Sequence, residues 1–138
     1  MNFPYSTFES ELQVRPDDID MNRHVHNSRY FDYVLAARYD QMERCYHMSM
    51  EEFMNKGFGW VVRSAFIEYK RPLTLGDRFI VQTRIEEIFN DGVKVHFQII
   101  KKEVKKICCE GYCHYTMVNA QTGHAEKIPD WIKEKYSI

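Results

Sequence analysis

The chain has 138 residues, enough for one domain with its own core but tight for two. Hydrophobic residues make up 44% and charged residues 28%, a globular balance that excludes wholesale disorder and collagen-like or low-complexity architectures. The 19 Lys plus Arg against 20 Asp plus Glu give a net charge of -1, without the basic excess of a dedicated nucleic-acid binder, so no nucleic-acid partner is expected.

In chain order, Met1-Asn2-Phe3-Pro4-Tyr5 has neither the basic start nor the apolar run of a secretory signal. No later stretch approaches the roughly 18 uncharged apolar residues of a membrane span. A cytoplasmic protein with no membrane partner is the expectation. Phe8, Ser10, Leu12 and Val14 alternate with Glu9, Glu11 and Gln13, the period of a half-buried strand, which Pro16 closes. No Gly or Pro then occurs from Asp17 to Lys56. Within that stretch Phe31, Val34, Leu35, Met42, Cys45 and Tyr46 recur at helical spacing. They predict a long helix from about Asn27 to Tyr46 with one continuous apolar face. Ser49-Met50-Glu51-Glu52 fits a capping box that opens a shorter helix, and Gly57 supplies its stop.

From Trp60 onward the period becomes that of strands: Val61, Ala65, Ile67, Tyr69; then Phe79, Val81, Ile85, Phe89; then Val93, Val95, Phe97, Ile99; then Cys109, Cys113, Tyr115, Met117. Turns are expected at Pro72 to Asp77, at Asn90-Asp91-Gly92, at Lys105-Lys106 and at Gln121-Thr122-Gly123. A short helix over Pro129 to Tyr136 would bring Trp131 inward. Strand, long helix and then four strands joined by short turns predict an α+β architecture. A five-stranded antiparallel sheet curves around the long helix, and residues 1–138 form a single domain.

Cys45, Cys108, Cys109 and Cys113 contain no C-x-x-C pair and read as reduced core thiols, with adjacent Cys108 and Cys109 on opposite faces of a strand. A zinc site of Cys109, Cys113 and His114 matches no strong spacing, nor do His24 and His26 with Asp18 or Asp20, so no metal is expected.

The stretch richest in chemistry is Val14-Arg15-Pro16-Asp17-Asp18-Ile19-Asp20-Met21-Asn22-Arg23-His24-Val25-His26-Asn27-Ser28-Arg29-Tyr30, with three carboxylates, two His and two Asn ahead of the long helix. Unpaired N–H groups at a helix start can hold an oxyanion, and a carboxylate just upstream can act as base or nucleophile. The same residue types also serve as plain helix caps and solvated loop, and composition alone favours that reading.

This run, followed by Glu68-Tyr69-Lys70-Arg71-Pro72-Leu73-Thr74-Leu75-Gly76-Asp77, resembles the hotdog-fold thioesterases, in the branch of 4-hydroxybenzoyl-CoA thioesterase and bacterial acyl-CoA thioesterases. The resemblance implies hydrolysis of an acyl-CoA or acyl-carrier-protein thioester, no cofactor, and a homodimer or homotetramer. It makes Asp20, the second Asp of D-x-D, the catalytic carboxylate and the backbone N–H of Asn27 the oxyanion contact. The pattern Asp20, Asn22, His24, Val25, Asn27 is also similar to plant acyl-ACP thioesterases, which brings Asn22 and His24 into the catalytic set. Those enzymes carry a Glu where this chain has Pro72, and Arg23 replaces a Gly common in the bacterial branch. Lys70 and Arg71, with Lys101, Lys102, Lys105 and Lys106, are candidates for the substrate phosphates; for most of the lysines of 101–106 a solvated hairpin guarding a strand edge is the favoured reading. Tyr30, Phe31 and Trp60 are aromatic candidates for a pocket wall, Tyr30 toward substrate. Rival readings are a non-catalytic acyl-CoA-binding protein of the same fold and a hotdog dehydratase; a transcriptional version would need an added helix-turn-helix for which the chain has no room.

Overall fold

The computed structural model describes residues 5–138; residues 1–4, read above for a leader, lie outside the described residues. The elements run β1 (Thr7–Gln13), α1 (Tyr30–Arg44), α2 (Met50–Asn55), β2 (Phe58–Tyr69), β3 (Arg78–Ile88), β4 (Gly92–Lys101), β5 (Ile107–Asn119) and α3 (Asp130–Tyr136). One-turn 3-10 helices at Pro16–Asp18 and Asn27–Arg29 bracket the loop between β1 and α1. The five strands form one antiparallel sheet in the order β1-β3-β4-β5-β2. No helix among the described residues is long and apolar enough to cross a membrane.

The expected periods place most of the core. Val93, Val95, Phe97 and Ile99 of β4 are all buried, as are Cys109, Cys113, Tyr115 and Met117 of β5. Each such large apolar side chain contributes about 1.5–3 kcal/mol by leaving water. The helix α1 covers this face: Phe31 meets Phe97 edge-on at 5.9 Å and Tyr33 tilts on Phe79 at 4.9 Å. Gly111 explains why β5 can accept β2 so closely, because a Cβ there would sit 1.9 Å from the carbonyl oxygen of Phe66.

Four details differ from the sequence expectation. The buried stripe of α1 is Tyr30, Tyr33, Val34, Ala37, Arg38, Gln41 and Met42, while Leu35 is exposed. Gln41 lies inside because it is satisfied there: its amide donates to Ser10 Oγ at 3.2 Å and to the Val81 carbonyl at 3.4 Å, and it accepts from the Thr83 hydroxyl. Along β2 the alternation does not become burial, since Val61, Ala65 and Tyr69 are exposed; the strand is a sheet edge and shifts register between Val62 and Ser64. In α3 it is Ile132 and Tyr136, one turn apart, that turn inward, and Trp131 stays out under the Lys56 ammonium at 5.4 Å. Finally, residues 102–106 join β4 to β5, two interior strands, so these lysines guard no edge.

The capping box is present as read: the Ser49 hydroxyl accepts from the Glu52 N–H at 3.1 Å, and Gly57 ends the segment at φ 92°. The cysteines are free thiols, with Cys108, Cys109 and Cys113 buried and Cys45 half-buried. Cys108 is the extra residue at a register shift, between Ile107 opposite Ile100 and Cys109 opposite Ile99, and both it and Cys109 are buried.

Candidate active site

The loop ahead of α1 is built on Asp18. Its carboxylate is 3% exposed, accepts from the Tyr33 hydroxyl at 2.6 Å, and pairs with Arg15 at 2.9 Å and Arg29 at 3.5 Å. Burial pushes its pKa up, yet the Tyr33 hydroxyl and the Arg15 and Arg29 guanidinium groups hold it below the ordinary Asp value. Burial, with Asp18 alongside, pushes the Tyr33 phenol up to about 12, so it remains a donor at neutral pH. The Asp18 carbonyl takes the His26 N–H at 2.8 Å, which fastens one side of the loop to the other.

Asp20 sits two residues on, beyond the extended Ile19. One carboxylate oxygen, Oδ1, accepts the backbone N–H groups of Asn22 at 2.8 Å and His24 at 3.2 Å. The other oxygen has no partner among the described residues. The main chain between them is a tight reversal: Asp20 N–H to the His24 carbonyl at 2.8 Å, Arg23 N–H to the Asp20 carbonyl at 3.1 Å. Arg23 takes φ 63°, the left-handed region that favours Gly. Arg23→Gly is therefore expected to raise stability by about 0.5–1 kcal/mol, the relieved Cβ strain less the entropy of Gly, read as a higher urea midpoint; a lower midpoint would contradict the strain.

The 3-10 turn Asn27–Arg29 leads directly into α1. His26 caps it, its Nδ1 accepting from the Ser28 N–H at 3.3 Å. The Asn27 N–H, first of the turn, has no acceptor among the described residues, while its carbonyl receives the Tyr69 hydroxyl at 3.1 Å.

Asp20, Asn22, His24, Asn27, Tyr30, Lys70 and Arg71 all line one open cavity of about 390 Å³, together with Val25, Tyr69 and Pro72. These seven of the residues proposed from sequence thus meet in one place. Tyr30 is buried, receives the Leu73 N–H on its hydroxyl at 3.1 Å and contacts Tyr69 ring to ring at 5.3 Å. Lys70 and Arg71 are held at the rim by their backbone N–H groups, both bonded to the Cys108 carbonyl, at 2.8 and 3.0 Å. The Lys70 charge is matched by Glu110 at 2.9 Å, whereas Arg71 donates to the Ile107 carbonyl at 2.9 Å and has no carboxylate partner among the described residues.

The other aromatic and basic candidates lie elsewhere. Phe31 is core packing on Phe97, and Trp60 lines a separate apolar hollow. Lys101 pairs with Asp77 at 3.3 Å and Lys102 with Glu11 at 2.7 Å; these two and Lys105 edge a different depression. Lys106 is exposed and outside the Asp20 cavity. Sequence reading missed Tyr69 as a wall residue. Its only signal is its place beside Lys70-Arg71, since an exposed Tyr at a strand end has no distinctive pattern.

A five-stranded antiparallel sheet curled around one long helix, with the polar loop at that helix's start, is the hotdog arrangement. Solved structures agree: DHNA-CoA thioesterase from Staphylococcus aureus superposes with a TM-score of 0.87 at 18% identity, over 95% of this chain and 89% of that one. The chain belongs to the Thioesterase-like superfamily, whose model matches residues 14–136. It is similar to the long-chain acyl-CoA thioesterase FadM of Escherichia coli K12, 23% identical over 128 residues that cover 92% of this chain and 95% of the relative. It is also similar to the acyl-CoA thioester hydrolase YbgC of Escherichia coli O6:H1, 27% identical over 96 residues, 70% of this chain and 71% of that protein.

Proposed function

We propose that this protein hydrolyses the thioester of an acyl-CoA, releasing a carboxylic acid and a free thiol, with Asp20 as the catalytic carboxylate. The observation that carries the reading is the shared cavity: a carboxylate fixed through one oxygen, a helix-leading N–H without an acceptor and two cationic side chains at the rim. Family membership supports the reaction class, and the names of FadM and YbgC support an acyl-CoA substrate.

A thioester is already activated, and a thiolate leaves without acid assistance. What the enzyme must supply is an attacking oxygen and a donor for the oxyanion. In this reading the substrate carbonyl oxygen takes the Asn27 N–H, and Asp20 supplies the attack by its unbonded oxygen. Either that oxygen removes a proton from water, which adds to the carbonyl carbon as the C–S bond breaks, or it adds to the carbon itself, expels the thiolate and forms an anhydride that water then cleaves. After a single turnover in 18O water, label in the Asp20 carboxylate means nucleophile, and label only in the product acid means that water met the acyl carbon, in the thioester or in the anhydride. Asn22 and His24 hold Asp20 through their backbone N–H groups, so their side chains matter less than the loop they form.

Arg71, with Lys70, is assigned to the phosphates of CoA. Incubation with short, long and aromatic acyl-CoAs while free thiol is measured tests the reaction. Hydrolysis of at least one class is expected, with KM rising as salt is added, and retention of every thioester would overturn the proposal. A sensor would bind the same compounds and leave the thiol blocked.

The edge strand β2 exposes Val61, Val62 and Phe66 at 50–55%. An unpaired apolar edge of that kind suits antiparallel pairing with the same strand of a second copy, so we assign a homodimer, itself able to pair into a tetramer. Light scattering should read the mass of at least two chains.

A further inference from the structure

A second hollow, of about 330 Å³, lies between α1, α2 and the first half of β2, and shares no lining residue with the Asp20 cavity. Its wall includes Leu35, Met42, Met54, Trp60 and Val62, and it has one charged member, Arg38. An apolar wall with a single placed polar group is the usual make-up of a small-molecule site.

Arg38 is the unexpected part. It is 6% exposed, its Nη1 is buried without a hydrogen-bond partner, and no carboxylate among the described residues pairs with it. The guanidinium lies 5.6 Å over the Tyr46 ring, with Cys113, Tyr115 and Tyr136 as its other titratable neighbours. Burial raises the pKa of all four, so each is neutral at physiological pH and none supplies a counter-charge. The Tyr136 hydroxyl is likewise buried without a partner. Arginine does not shed its proton, and a buried charge without a counter-ion is costly. The group that would balance this charge is an anion, and the apolar wall suits one that carries an aliphatic chain. A guanidinium fork matches a carboxylate in two parallel hydrogen bonds.

We propose that this hollow binds an aliphatic monocarboxylate, its carboxylate on Arg38 and its chain along Met42, Met54 and Trp60. Such an acid is the product of the proposed hydrolysis, and only that link to the reaction rests on the thioesterase reading; the binding itself does not.

Calorimetric titration of the whole chain with sodium decanoate and with 1-decanol, both below micelle formation, tests the site. Decanoate should bind at least tenfold more tightly than the alcohol. Arg38→Met, which keeps the aliphatic stem, should remove that preference, and Leu35→Trp, at the exposed rim, should weaken both ligands. Equal affinity for acid and alcohol, a preference that survives Arg38→Met, or undiminished binding to Leu35→Trp would each overturn the proposal. If Arg38→Met does not fold, the wild-type preference and Leu35→Trp decide the matter. No decanoate binding by a protein that is dimeric in solution would mean that a second copy covers the hollow, and would also overturn it. Asp20→Ala separates the two readings: it should lose thiol release and keep decanoate binding. A wild type that binds decanoate but hydrolyses no thioester sinks the enzyme assignment alone, and one that hydrolyses but ignores decanoate sinks this site alone.

Discussion

Asp20→Asn is expected to lower acyl-CoA turnover by about 10²–10⁴-fold, the range for loss of a general acid–base group, with an unfolding midpoint close to that of the parent. Asparagine is the sharp substitution because its amide oxygen can still accept from the Asn22 and His24 N–H groups, as Oδ1 of Asp20 does at 2.8 and 3.2 Å. The loop therefore keeps its shape, and what disappears is the negative charge and basicity of the second oxygen. Binding of substrate should change little, so the loss should fall on kcat more than on KM. If kcat survives while the fold is intact, Asp20 is not the catalytic carboxylate and the polar loop reverts to a helix cap.

Asp18→Ala is expected to act through stability, lowering it by about 2–3 kcal/mol. Removing one partner of a buried charged network costs about 3–5 kcal/mol when the remaining charge is trapped. Here Arg15 and Arg29 are half exposed and return to water, which reduces the cost, while the Tyr33 hydroxyl loses its acceptor inside the core. The pH dependence gives a second check. The folded pKa of Asp18 lies below its unfolded value of about 3.9. Its contribution is therefore complete above that value and is lost as pH falls through the folded pKa. Parent and variant should converge in stability below about pH 4. On the alkaline side the Tyr33 pKa of about 12 exceeds its unfolded value, so neutral Tyr33 stabilises the parent up to about pH 10, and that contribution fades as pH rises toward 12. Denaturant titrations at several pH values read both limbs. A variant that keeps the parent's full acid-limb slope would show that some other carboxylate sets it.

These two aspartates show how far sequence reading reaches. Periodicity located β4 and β5, because an interior strand buries every second residue whatever its neighbours are. The same rule failed on β2, where the edge position leaves Val61 and Ala65 in solvent. Hydrophobicity misread α1 for a related reason. Gln41 finds its partners on β1 and β3 and Arg38 is covered in part by Tyr136 of the C-terminal segment, which no local window contains, and Leu35 is exposed because it borders a hollow. The site was more legible than the core. Asp20 to Asn27 is one continuous segment, so its chemistry travels with its sequence, and the end of β2 brings Tyr69, Lys70, Arg71 and Pro72 to it. The resemblance already singled out the second Asp of D-x-D; the structure adds that Asp18 is buried on Tyr33 while Asp20 lines a cavity.

The pairing of β1 with β3, in which Thr7 meets Arg84, sets an order of assembly. The meander β3-β4-β5 closes through short hairpins, while β1 must wait for a partner more than half the chain away. The segment carrying Asp20 hangs between β1 and α1, so it acquires its shape only when that last long closure is made. During refolding of the full chain, enzymatic competence should thus lag behind formation of the meander.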